Sequence, residues 1–382
     1  MKLLHIADLH LGRTLGEFEL GEDQRFILNE ILEICDKKKV DGILIAGDVF
    51  DKSVPSEGAV NTLDWFLNEL TRREIKTFMI SGNHDSDDRL NYGSNMFERS
   101  GVYLSAIYDG RLYKRTFTDE YGELDIYLLP FVKASQVKHF FPEEDIRTYE
   151  DAVRVILREA HINKNRRNIL AAHQFVAGQK EVRLSGSETV TQIGLVERIS
   201  YGCLDDFDYA ALGHIHRAQE VGRETVRYAG SPLKYSLSET NNEKSVPLID
   251  IRKKGEVSVE LIPLKPLRDL RHIKGELRKL LSPENVSDVD DYIYVTLTDE
   301  NVHDNAMGLF QQVYKNTVKL DYENSHTMQY EGIDIEAITA ERSFDELIND
   351  FYRLVFDQDM SEEEKRILKE AAREAGVKDE AD

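Results

Sequence analysis

Short apolar runs alternate with amphipathic stretches over the first two thirds of the chain. Two of these stretches, residues 22–38 and 55–73, repeat apolar side chains at helical spacing and end in lysine or arginine, which favours a helix C-terminus. The apolar runs have the length and composition of strands that are buried on both faces. They lie at residues 2–7, 42–46, 76–80, 125–129, 168–172 and 208–212. This alternation predicts a layered α/β fold with parallel strands.

A second group of apolar runs predicts strands that close this domain and could form a second sheet. They lie at residues 228–232, 246–251 and 257–262. Pro263 and Pro266 then interrupt the pattern, as expected of a linker. We therefore expect one large domain over residues 1–266.

The rest of the chain divides into two parts. Residues 267–335 predict a small α+β domain, because strand-like runs flank a helical pattern. Its elements are expected at residues 292–298, 305–314 and 318–322. Residues 340–382 predict a helical tail, because apolar side chains between Phe344 and Val355 repeat at helical spacing.

The chain is strongly acidic. It carries 49 basic and 71 acidic side chains, for a net charge of −22, which argues against a polyanionic partner because phosphate backbones are bound through Lys and Arg. No apolar run approaches the roughly 20 residues of a membrane span. The only cysteines, Cys35 and Cys203, are too few for a disulfide scaffold. We expect a protein of the cytoplasm with no membrane segment.

Histidine, aspartate and asparagine residues follow the ends of the predicted strands. In an open α/β sheet the carboxyl ends of neighbouring strands meet at one edge, so residues distant in sequence can converge there. The residues that converge there would line one cavity. Glycines directly before Asp48, Asn83 and His214 allow the backbone to turn tightly beside this cavity. We expect strand alternation to aim Asp8 with His10, and His214 with His216, into this cavity. The full set is Asp8, His10, Asp48, Asp51, Asn83, His84, Asp85, His173, His214 and His216.

Seven of these side chains are predicted metal ligands. One ion rarely uses so many donors, whereas two ions about 3.5–4 Å apart share a bridging carboxylate and clamp a phosphate ester. Mixed nitrogen and oxygen ligands suit Mn, Fe or Zn better than Ca or Mg. The predicted assignment is Asp48 as the bridge, Asp8, His10 and His216 at one ion, and Asn83, His173 and His214 at the other.

Each motif alone is weak evidence, since Asn and Asp after Gly are common in turns. What favours a site is that the whole set follows strands in order. His5, inside the first strand, and His139 fall outside this pattern, and we interpret them as packing or surface histidines.

In these motifs the chain resembles the calcineurin-like metallophosphoesterase superfamily, and within it the SbcD family of bacterial DNA repair nuclease subunits. The narrower resemblance depends on longer strings. They are residues 4–12 (LHIADLHLG), 82–86 (GNHDS) with Arg89 and Leu90, 211–219, and 230–233 (GSPL) with Tyr235 and Ser236. The resemblance covers residues 1–262 well and is weaker beyond them.

The resemblance implies a four-layer α/β/β/α sandwich, a small α+β capping domain and a C-terminal helical tail. It also implies Mn²⁺-dependent cleavage of DNA by a homodimer. That homodimer would form a heterotetramer with SbcC, an SMC-like ATPase whose coiled coil the C-terminal helices grip. We favour this partner for the apolar stripe that begins at Phe344, over packing on the chain's own catalytic domain.

The expected reaction is hydrolysis of DNA phosphodiesters, with exonuclease and endonuclease action on DNA ends and hairpins. Two cations lower the pKa of bound water toward neutral, and His84, oriented by Asp51, would protonate the departing sugar oxygen. Some archaeal relatives carry a second histidine where this chain has Asp51. Phosphoprotein phosphatases of the superfamily pair such a histidine with aspartate, so the resemblance still implies catalysis.

Two alternatives remain open. The chain could be a free-standing metallophosphoesterase that acts on small phosphodiesters or phosphoproteins, although such an enzyme has no need of the capping domain and tail. It could instead be a scaffold for an ATPase with an unused metal site, which the complete ligand set disfavours.

Overall fold

The structure is a computed structural model that describes residues 1–178, 182–185 and 198–325, together with residues 360, 361 and 365. The predicted apolar stripe of the tail, residues 344–355, lies outside the described residues. Among the helices that are described, none is long and apolar enough to cross a bilayer.

The strands of the described residues are numbered in chain order. They are β1 (Lys2–Ile6), β2 (Thr14–Leu15), β3 (Phe18–Glu19), β4 (Gly42–Ala46), β5 (Lys76–Ile80), β6 (Val102–Ser105), β7 (Tyr113–Asp119), β8 (Gly122–Leu129), β9 (Arg167–His173), β10 (Val176–Ala177), β11 (Ile199–Ser200), β12 (Tyr209–Gly213), β13 (Gln219–Val221), β14 (Arg223–Tyr228), β15 (Ser245–Ile251), β16 (Val257–Pro263), β17 (Leu270–Gly275), β18 (Tyr292–Leu297) and β19 (Thr317–Tyr322). The α-helices are α1 (Gly21–Lys38), α2 (Glu57–Arg72), α3 (Asp87–Leu90), α4 (Ser94–Phe97), α5 (Ala134–Phe140), α6 (Tyr149–Glu159), α7 (Leu277–Leu280) and α8 (Ala306–Val313).

Two six-stranded sheets form the centre of the large domain. The first has the order β16-β15-β1-β4-β5-β6 and the second the order β13-β14-β12-β9-β8-β7. In each sheet four neighbouring strands run parallel. In the first sheet the antiparallel strands β15 and β16 both lie on the β1 side, so that β6 is a parallel edge strand, whereas in the second sheet the antiparallel strands β13 and β7 flank the parallel four. Leu44 and Phe78 of the first sheet share one buried apolar cluster with Ile169 and Tyr209 of the second. The two sheets therefore pack face to face.

Alternation along the strands fills the layers outside the sheets. In β4, Leu44 points between the sheets, whereas Ile43 and Ile45 pack in a second cluster with Ile31 of α1 and Phe66 of α2. On the other side, a third cluster joins residues of α5 and α6 to the outer face of the second sheet. The layer order is helix, sheet, sheet, helix, which confirms the predicted four-layer α/β/β/α sandwich.

The predicted helices form close to where the sequence patterns place them. The second, α2, begins after Ser56, whose side chain accepts a hydrogen bond from the Ala59 backbone N–H at 3.3 Å. The first, α1, ends at Lys38 because Lys39 has a left-handed backbone with φ 54°.

The prediction that the closing strands form a second sheet is wrong. Strands β15 and β16 extend the first sheet beside β1, whereas β14 belongs to the second. The predicted strand at residues 228–232 is also wrong, because β14 ends at Tyr228 and the chain turns at Gly230, where φ is 76°. The turn brings the Ser231 backbone N–H to the His216 carbonyl at 3.1 Å. Apolar runs indicate strands but carry no information about which strands pair.

Residues Met1–Leu297 and His303–Asp321 form one compact unit, which includes the small sheet β17-β18-β19 and helix α8. Within it, the Arg268 guanidinium donates to both carboxylate oxygens of Asp23 on α1, at 3.0 and 2.7 Å. The Tyr292 hydroxyl donates to the same carboxylate at 2.9 Å. A buried carboxylate on the large domain therefore holds the small sheet, and the domain boundary at residue 266 stays a prediction.

Thr298–Val302 and Tyr322–Asp382 form a second unit, in which few residues are described. Here the Asn324 side chain donates to the Asp299 carbonyl at 3.2 Å, and the Ser325 hydroxyl donates to Glu300 at 2.6 Å.

Candidate metal centre

The seven predicted metal ligands lie at the carboxyl ends of five strands. Four of the ligands lie in the loops that follow β1, β4 and β5, which are neighbours in the first sheet. The other three lie at the ends of β9 and β12, which are neighbours in the second sheet. Backbone hydrogen bonds join the first two loops, from Asp8 N–H to the Gly47 carbonyl at 3.1 Å and from His10 N–H to the Asp48 carbonyl at 2.9 Å. The predicted convergence at one edge is what the structure shows.

Four of these residues have a left-handed backbone. The φ angles are 54° at Asp8, 43° at His10, 47° at Asp48 and 98° at His214, a region that residues other than glycine seldom adopt. Such conformations cost of order 1–3 kcal/mol each and concentrate at functional sites. The expectation that strand alternation aims the paired residues is therefore wrong, because Asp8 and His10 lie beyond the end of β1 and are aimed by these turns.

Close packing explains the glycines that precede the motifs. A Cβ atom on Gly47 or Gly213 would collide with the His173 imidazole, and one on Gly82 would collide with the Asp48 carboxylate. Glycine is required here so that backbone can press against the side chains of the site.

The first group of donors consists of Asp8, His10 and His216, whose ligand atoms lie within 4.8 Å of one another. The Nε2 atoms of the two imidazoles are 3.0 Å apart. The Asp48 Oδ2 atom is 3.6 Å from His10 Nε2. All four side chains are buried, so their polar atoms face one another and not water.

The second group consists of Asp8, Asp48 and His173, within the same 4.8 Å. His173 Nε2 lies 3.3 Å from Asp48 Oδ2 and 3.1 Å from Asn83 Oδ1. The Asn83 Oδ1 atom is also 3.0 Å from His214 Nδ1. The two groups adjoin, with Asp48 in contact with histidines of both.

The chemistry of these atoms fits metal ions. The Asp8 Oδ2 atom is buried and accepts no hydrogen bond from the described residues, which is costly unless a cation neutralises it. The His173 Nδ1 atom lies 2.8 Å from the Ala46 carbonyl, which can only accept, so Nδ1 carries a proton and Nε2 is the nitrogen that faces the site and could bind a cation once deprotonated.

The electrostatics of the site point the same way. Burial lowers the pKa of His10 to about 4 and that of His214 to about 3, so both are neutral at pH 7, the form that binds metals. Burial raises the pKa of Asp8 to about 6. Burial also disfavours charge on His173, but Asp48 outweighs it and raises the pKa of His173 to about 9. In the absence of a cation, the site draws a proton toward its carboxylates.

The site is closed on one side and open on the other. Asp8, His10, Asp48, His173 and His216 are buried, whereas Asn83 is exposed and His84 and His214 are half-buried. A substrate can therefore approach from the rim that these last three residues form.

His84 and Asp51, the predicted catalytic residues, are in contact. The His84 Nδ1 atom lies 3.2 Å from the backbone carbonyl of Asp51, not from its carboxylate. That carboxylate instead accepts from Arg13 at 2.7 Å and lies 3.5 Å from His10 Nδ1. Burial opposes its charge, but contacts with His10 and Arg13 lower the pKa of Asp51 to about 2. Asp51 therefore contacts His84 through its backbone carbonyl, while Arg13 binds its carboxylate, and the catalytic roles of the two residues stay predictions.

Asp85 links two of the loops. Its carboxylate accepts from the backbone N–H groups of Gly82, Val49 and Phe50, at 2.9, 3.0 and 2.8 Å. The loop that carries Asp48 is thereby tied to the loop that carries Asn83. The motif indicates that Asp85 is near the site, but only the structure gives this role.

One residue beside the site is not indicated by the sequence patterns. Glu239, which lies 3.7 Å from His216 Nδ1, belongs to none of the motifs. Glu239 follows the string GSPL and Tyr235 by a few residues, and that proximity is the one signal that could have indicated it. The two histidines interpreted as packing or surface residues match that interpretation, because His5 is buried against the Tyr209 hydroxyl at 3.0 Å and His139 is exposed.

Comparisons with known proteins agree with this geometry. Residues 1–218 match the family model of calcineurin-like phosphoesterases, and residues 266–356 match the SbcD_C model, described as a type 5 capsule protein repressor C-terminal domain. The chain is 32% identical over 369 residues to the D subunit of nuclease SbcCD from Staphylococcus epidermidis, covering 95% of each chain. It is 33% identical over 356 residues to that of Staphylococcus saprophyticus, covering 91% of this chain and 93% of the relative.

A dimetal phosphatase from Danio rerio has 10% identity and a TM-score of 0.41, over 69% of this chain and 96% of the other. The phosphoesterase match and the two adjoining groups of donors identify a dinuclear metal site in a metal-dependent hydrolase. The fold class and the enzyme class expected from the sequence are confirmed. The chain belongs to the calcineurin-like phosphoesterases and, within them, to the family of SbcD subunits of the SbcCD nuclease.

Proposed function

We propose that this chain hydrolyses DNA phosphodiesters at two metal ions, as the nuclease subunit of an SbcCD-type complex. The observation that supports this is the convergence of seven nitrogen and oxygen donors from five strand ends on one cleft with an open rim. The proposed ligands are Asp48 as the bridge, Asp8, His10 and His216 at one ion, and Asn83, His173 and His214 at the other.

Two divalent ions held by these residues would supply a nucleophile from water at neutral pH and would offset the charge on the phosphoryl oxygens. The proposed ion is Mn²⁺, which the resemblance to the SbcD family implies. The mixed set of imidazole, carboxylate and amide donors suits Mn, Fe or Zn better than Ca or Mg.

His84 is the proposed proton donor to the departing sugar oxygen. Its Nδ1 atom faces the Asp51 carbonyl, which only accepts, so Nε2 is the nitrogen that can exchange a proton with substrate. Its ring lies edge-on to His10, with 4.9 Å between the ring centroids. A half-buried histidine at the rim can reach a phosphate in the cleft, and its backbone N–H is fixed by Asp48 Oδ1 at 2.9 Å.

DNA as the substrate of so acidic a chain needs a physical account. The two ions would be the largest local charges, and they reverse the sign of the field at the site itself. Away from the site the net charge of −22 leaves few phosphate contacts, so we expect a modest dependence of DNA affinity on salt for this chain alone. An ATPase partner of the SbcC type would supply the rest of the DNA grip.

The proposed partnership is supported by the extent of the similarity. The relatives named as a subunit of nuclease SbcCD match over 95% and 91% of this chain, well beyond the phosphoesterase domain. We propose that the C-terminal tail binds the coiled coil of an SbcC-type ATPase, and that the complex processes DNA ends and hairpins in repair, recombination and replication. The cytoplasm is the proposed compartment, in keeping with the free thiols Cys35 and Cys203.

A homodimer is proposed on a different observation. Exposed apolar side chains gather around α2, α3 and α4, beside a groove of about 730 Å³. They are Val54, Val60, Tyr92, Met96 and Phe97, and Tyr92 and Met96 are 84% and 75% exposed. An exposed apolar patch is typical of an interface. Sedimentation should detect a dimer that Tyr92→Glu with Met96→Glu converts to monomer, and an unchanged mass would refute this interface.

The function is tested with purified chain on end-labelled DNA hairpins and blunt duplexes. We expect cleavage in Mn²⁺, none in EDTA, and none by Asp48→Asn, which removes one charge from the bridging position. A chromogenic phosphodiester serves as the comparison substrate. Hydrolysis of that compound without cleavage of any DNA, in the presence of the ATPase partner as well, would favour the small-substrate metallophosphoesterase.

A further inference from the structure

Three buried histidines of the metal centre share one feature: an oxygen atom lies behind the ring nitrogen that faces away from the site. Behind His173 Nδ1 it is the Ala46 carbonyl at 2.8 Å, and behind His10 Nδ1 it is an Asp51 carboxylate oxygen at 3.5 Å. Behind His216 Nδ1 it is Glu239 Oε1 at 3.7 Å. Ligand histidines generally present their second nitrogen to such an acceptor, which fixes the tautomer and the ring orientation.

The acceptor behind His216 differs from the other two because it belongs to a buried ion pair. The Glu239 carboxylate is fully buried and accepts from the ammonium group of Lys244, whose side chain is only 7% exposed. The Tyr235 backbone N–H donates to the other carboxylate oxygen at 3.3 Å. Both of these contacts donate to Glu239, so the carboxylate is held in its acceptor form.

The same lysine also holds the main chain of the ligand. Lys244 Nζ donates to the His216 carbonyl at 3.0 Å and to the Ser231 hydroxyl at 2.7 Å. The Ser231 backbone N–H donates to that His216 carbonyl at 3.1 Å. His216 is therefore held at its backbone by Lys244 and faced at its ring by Glu239, while Nε2 points at His10 Nε2.

Stability does not explain this arrangement. Removing two charges from water costs several kcal/mol for each, and replacement of a buried ion pair by apolar residues is often neutral or stabilising. The pair lies instead where a ligand ring must be held to a small tolerance, and loss of such support typically costs 10–100-fold in metal affinity or activity.

We propose that Glu239 and Lys244 are positioning residues for His216 and thereby set the affinity of one of the two metal ions. This inference rests on the proposed role of His216 as a ligand. It adds two residues that take no part in the chemistry and touch neither substrate nor ion.

The test is a calorimetric titration of the metal-free full-length chain with Mn²⁺, which requires no cleavage of DNA. For Glu239→Gln we expect one of two binding events to weaken 10–100-fold while the other is unchanged. Glu239→Gln leaves the Lys244 ammonium buried without its partner, which could itself destabilise the fold. The double variant Glu239→Gln with Lys244→Met removes both charges, and we expect the same weakening of one Mn²⁺ binding event. Nuclease activity should recover at high Mn²⁺, because excess metal ion refills a site whose affinity is lowered and whose catalytic residues are unchanged.

A matched control comes from an ion pair near the other end of β12. The Asp208 carboxylate, 4% exposed, accepts from Lys254 at 2.9 Å. Asp208 precedes β12, whereas His214 and His216 follow it, so the control pair lies at the opposite end of that strand. Asp208→Asn should lower the unfolding temperature and leave both Mn²⁺ affinities unchanged.

Two results would overturn the proposal. One is unchanged Mn²⁺ affinity in the folded double variant, and the other is failure of that variant to fold with metal present, since the pair would then serve the fold and not the ligand. Failure of the proposed nuclease function would look different, because both metal ions would bind as expected while DNA remained intact.

Discussion

The role of His84 gives the sharpest prediction, because its side chain contributes little to the fold. In His84→Ala the backbone N–H to Asp48 Oδ1 bond at 2.9 Å is kept, whereas the ring loses its contact with the Asp51 carbonyl at 3.2 Å and its edge-on contact with His10. One such bond on a half-buried residue is worth about 0.5–1.5 kcal/mol of stability. We therefore expect a folded variant that binds two metal ions.

The expected loss in rate is much larger than the loss in stability. A general acid contributes about 10²–10⁴-fold, which corresponds to about 3–5 kcal/mol of transition-state stabilisation. The loss should depend on the leaving group, because a nitrophenolate departs without a proton whereas a sugar alkoxide does not. His84→Ala should therefore lose about 10²–10⁴-fold on DNA and markedly less on a bis(nitrophenyl) phosphodiester.

The assay compares kcat on both substrates at saturating Mn²⁺, with the metal content of each sample measured. His139→Ala, which removes an exposed histidine far from the motif loops in sequence, is the matched control and should behave as wild type. Equal losses on the two substrates would remove the proton-donor role. Loss of a metal ion in His84→Ala would make His84 a ligand and would refute the division of roles proposed above.

Three further predictions address the packing around the site. Gly213→Ala places a methyl group against the Ala46 carbonyl and the His173 imidazole that faces it, so Mn²⁺ binding measured by calorimetry should fall at least tenfold. Unchanged binding would contradict the close approach of these groups. Burial lowers the pKa of His5 to about 3, so between pH 6.5 and pH 5 only the unfolded chain takes up a proton at this residue. As the pH falls over this range, the free energy of unfolding of the wild type should therefore decrease by about 2 kcal/mol relative to that of His5→Phe. Parallel pH profiles of the two proteins in urea unfolding would refute this. Arg268→Met leaves the buried Asp23 carboxylate without its cation and should cost about 3 kcal/mol in thermal unfolding, whereas a shift within error would show that the Tyr292 hydroxyl suffices.

Much of the fold could be predicted because strands that are buried on both faces appear in the sequence as continuous apolar runs. All five residues of β4 are buried, and its sequence is a continuous apolar run. Such a run differs from the spaced apolar residues of the amphipathic helices α1 and α2. The polar residues that follow such runs must lie at the edge of the sheet. That one relation is enough to place Asp8, Asp48 and Asn83 together without knowledge of any contact.

Strand pairing was not predicted, because neighbours in a sheet are chosen by three-dimensional packing. The runs at residues 246–251 and 257–262 have the same composition whether they extend the first sheet or start another. In the structure β15 pairs antiparallel with β1, with Leu4 opposite Leu248. Nothing in the apolar pattern of either strand specifies that partner.

The atom through which Asp51 contacts His84 could not be predicted, for a different reason. Sequence indicates which residues are close, but a residue offers both a side chain and a backbone carbonyl to its neighbours. Arg13, only a few residues after Asp8, donates a hydrogen bond to the Asp51 carboxylate at 2.7 Å. The backbone carbonyl of Asp51 is then the group that faces His84. The outcome of such a competition depends on rotamers and distances that a one-dimensional pattern does not contain.

The left-handed backbone of Asp8, His10, Asp48 and His214 connects the fold to the function. At about 1–3 kcal/mol each, four such residues cost several kcal/mol, which is comparable to the net stability of a typical domain. The conformations persist because the loops are fixed to one another, through the backbone bonds between the first two loops and the three N–H groups bound by Asp85. The scaffold thus holds the donors in place before any ion or substrate arrives, and a phosphate ester meets a site that needs little reorganisation. It follows that substitutions in these bracing contacts should affect metal binding first, whereas substitutions at the exposed rim should affect the choice of substrate.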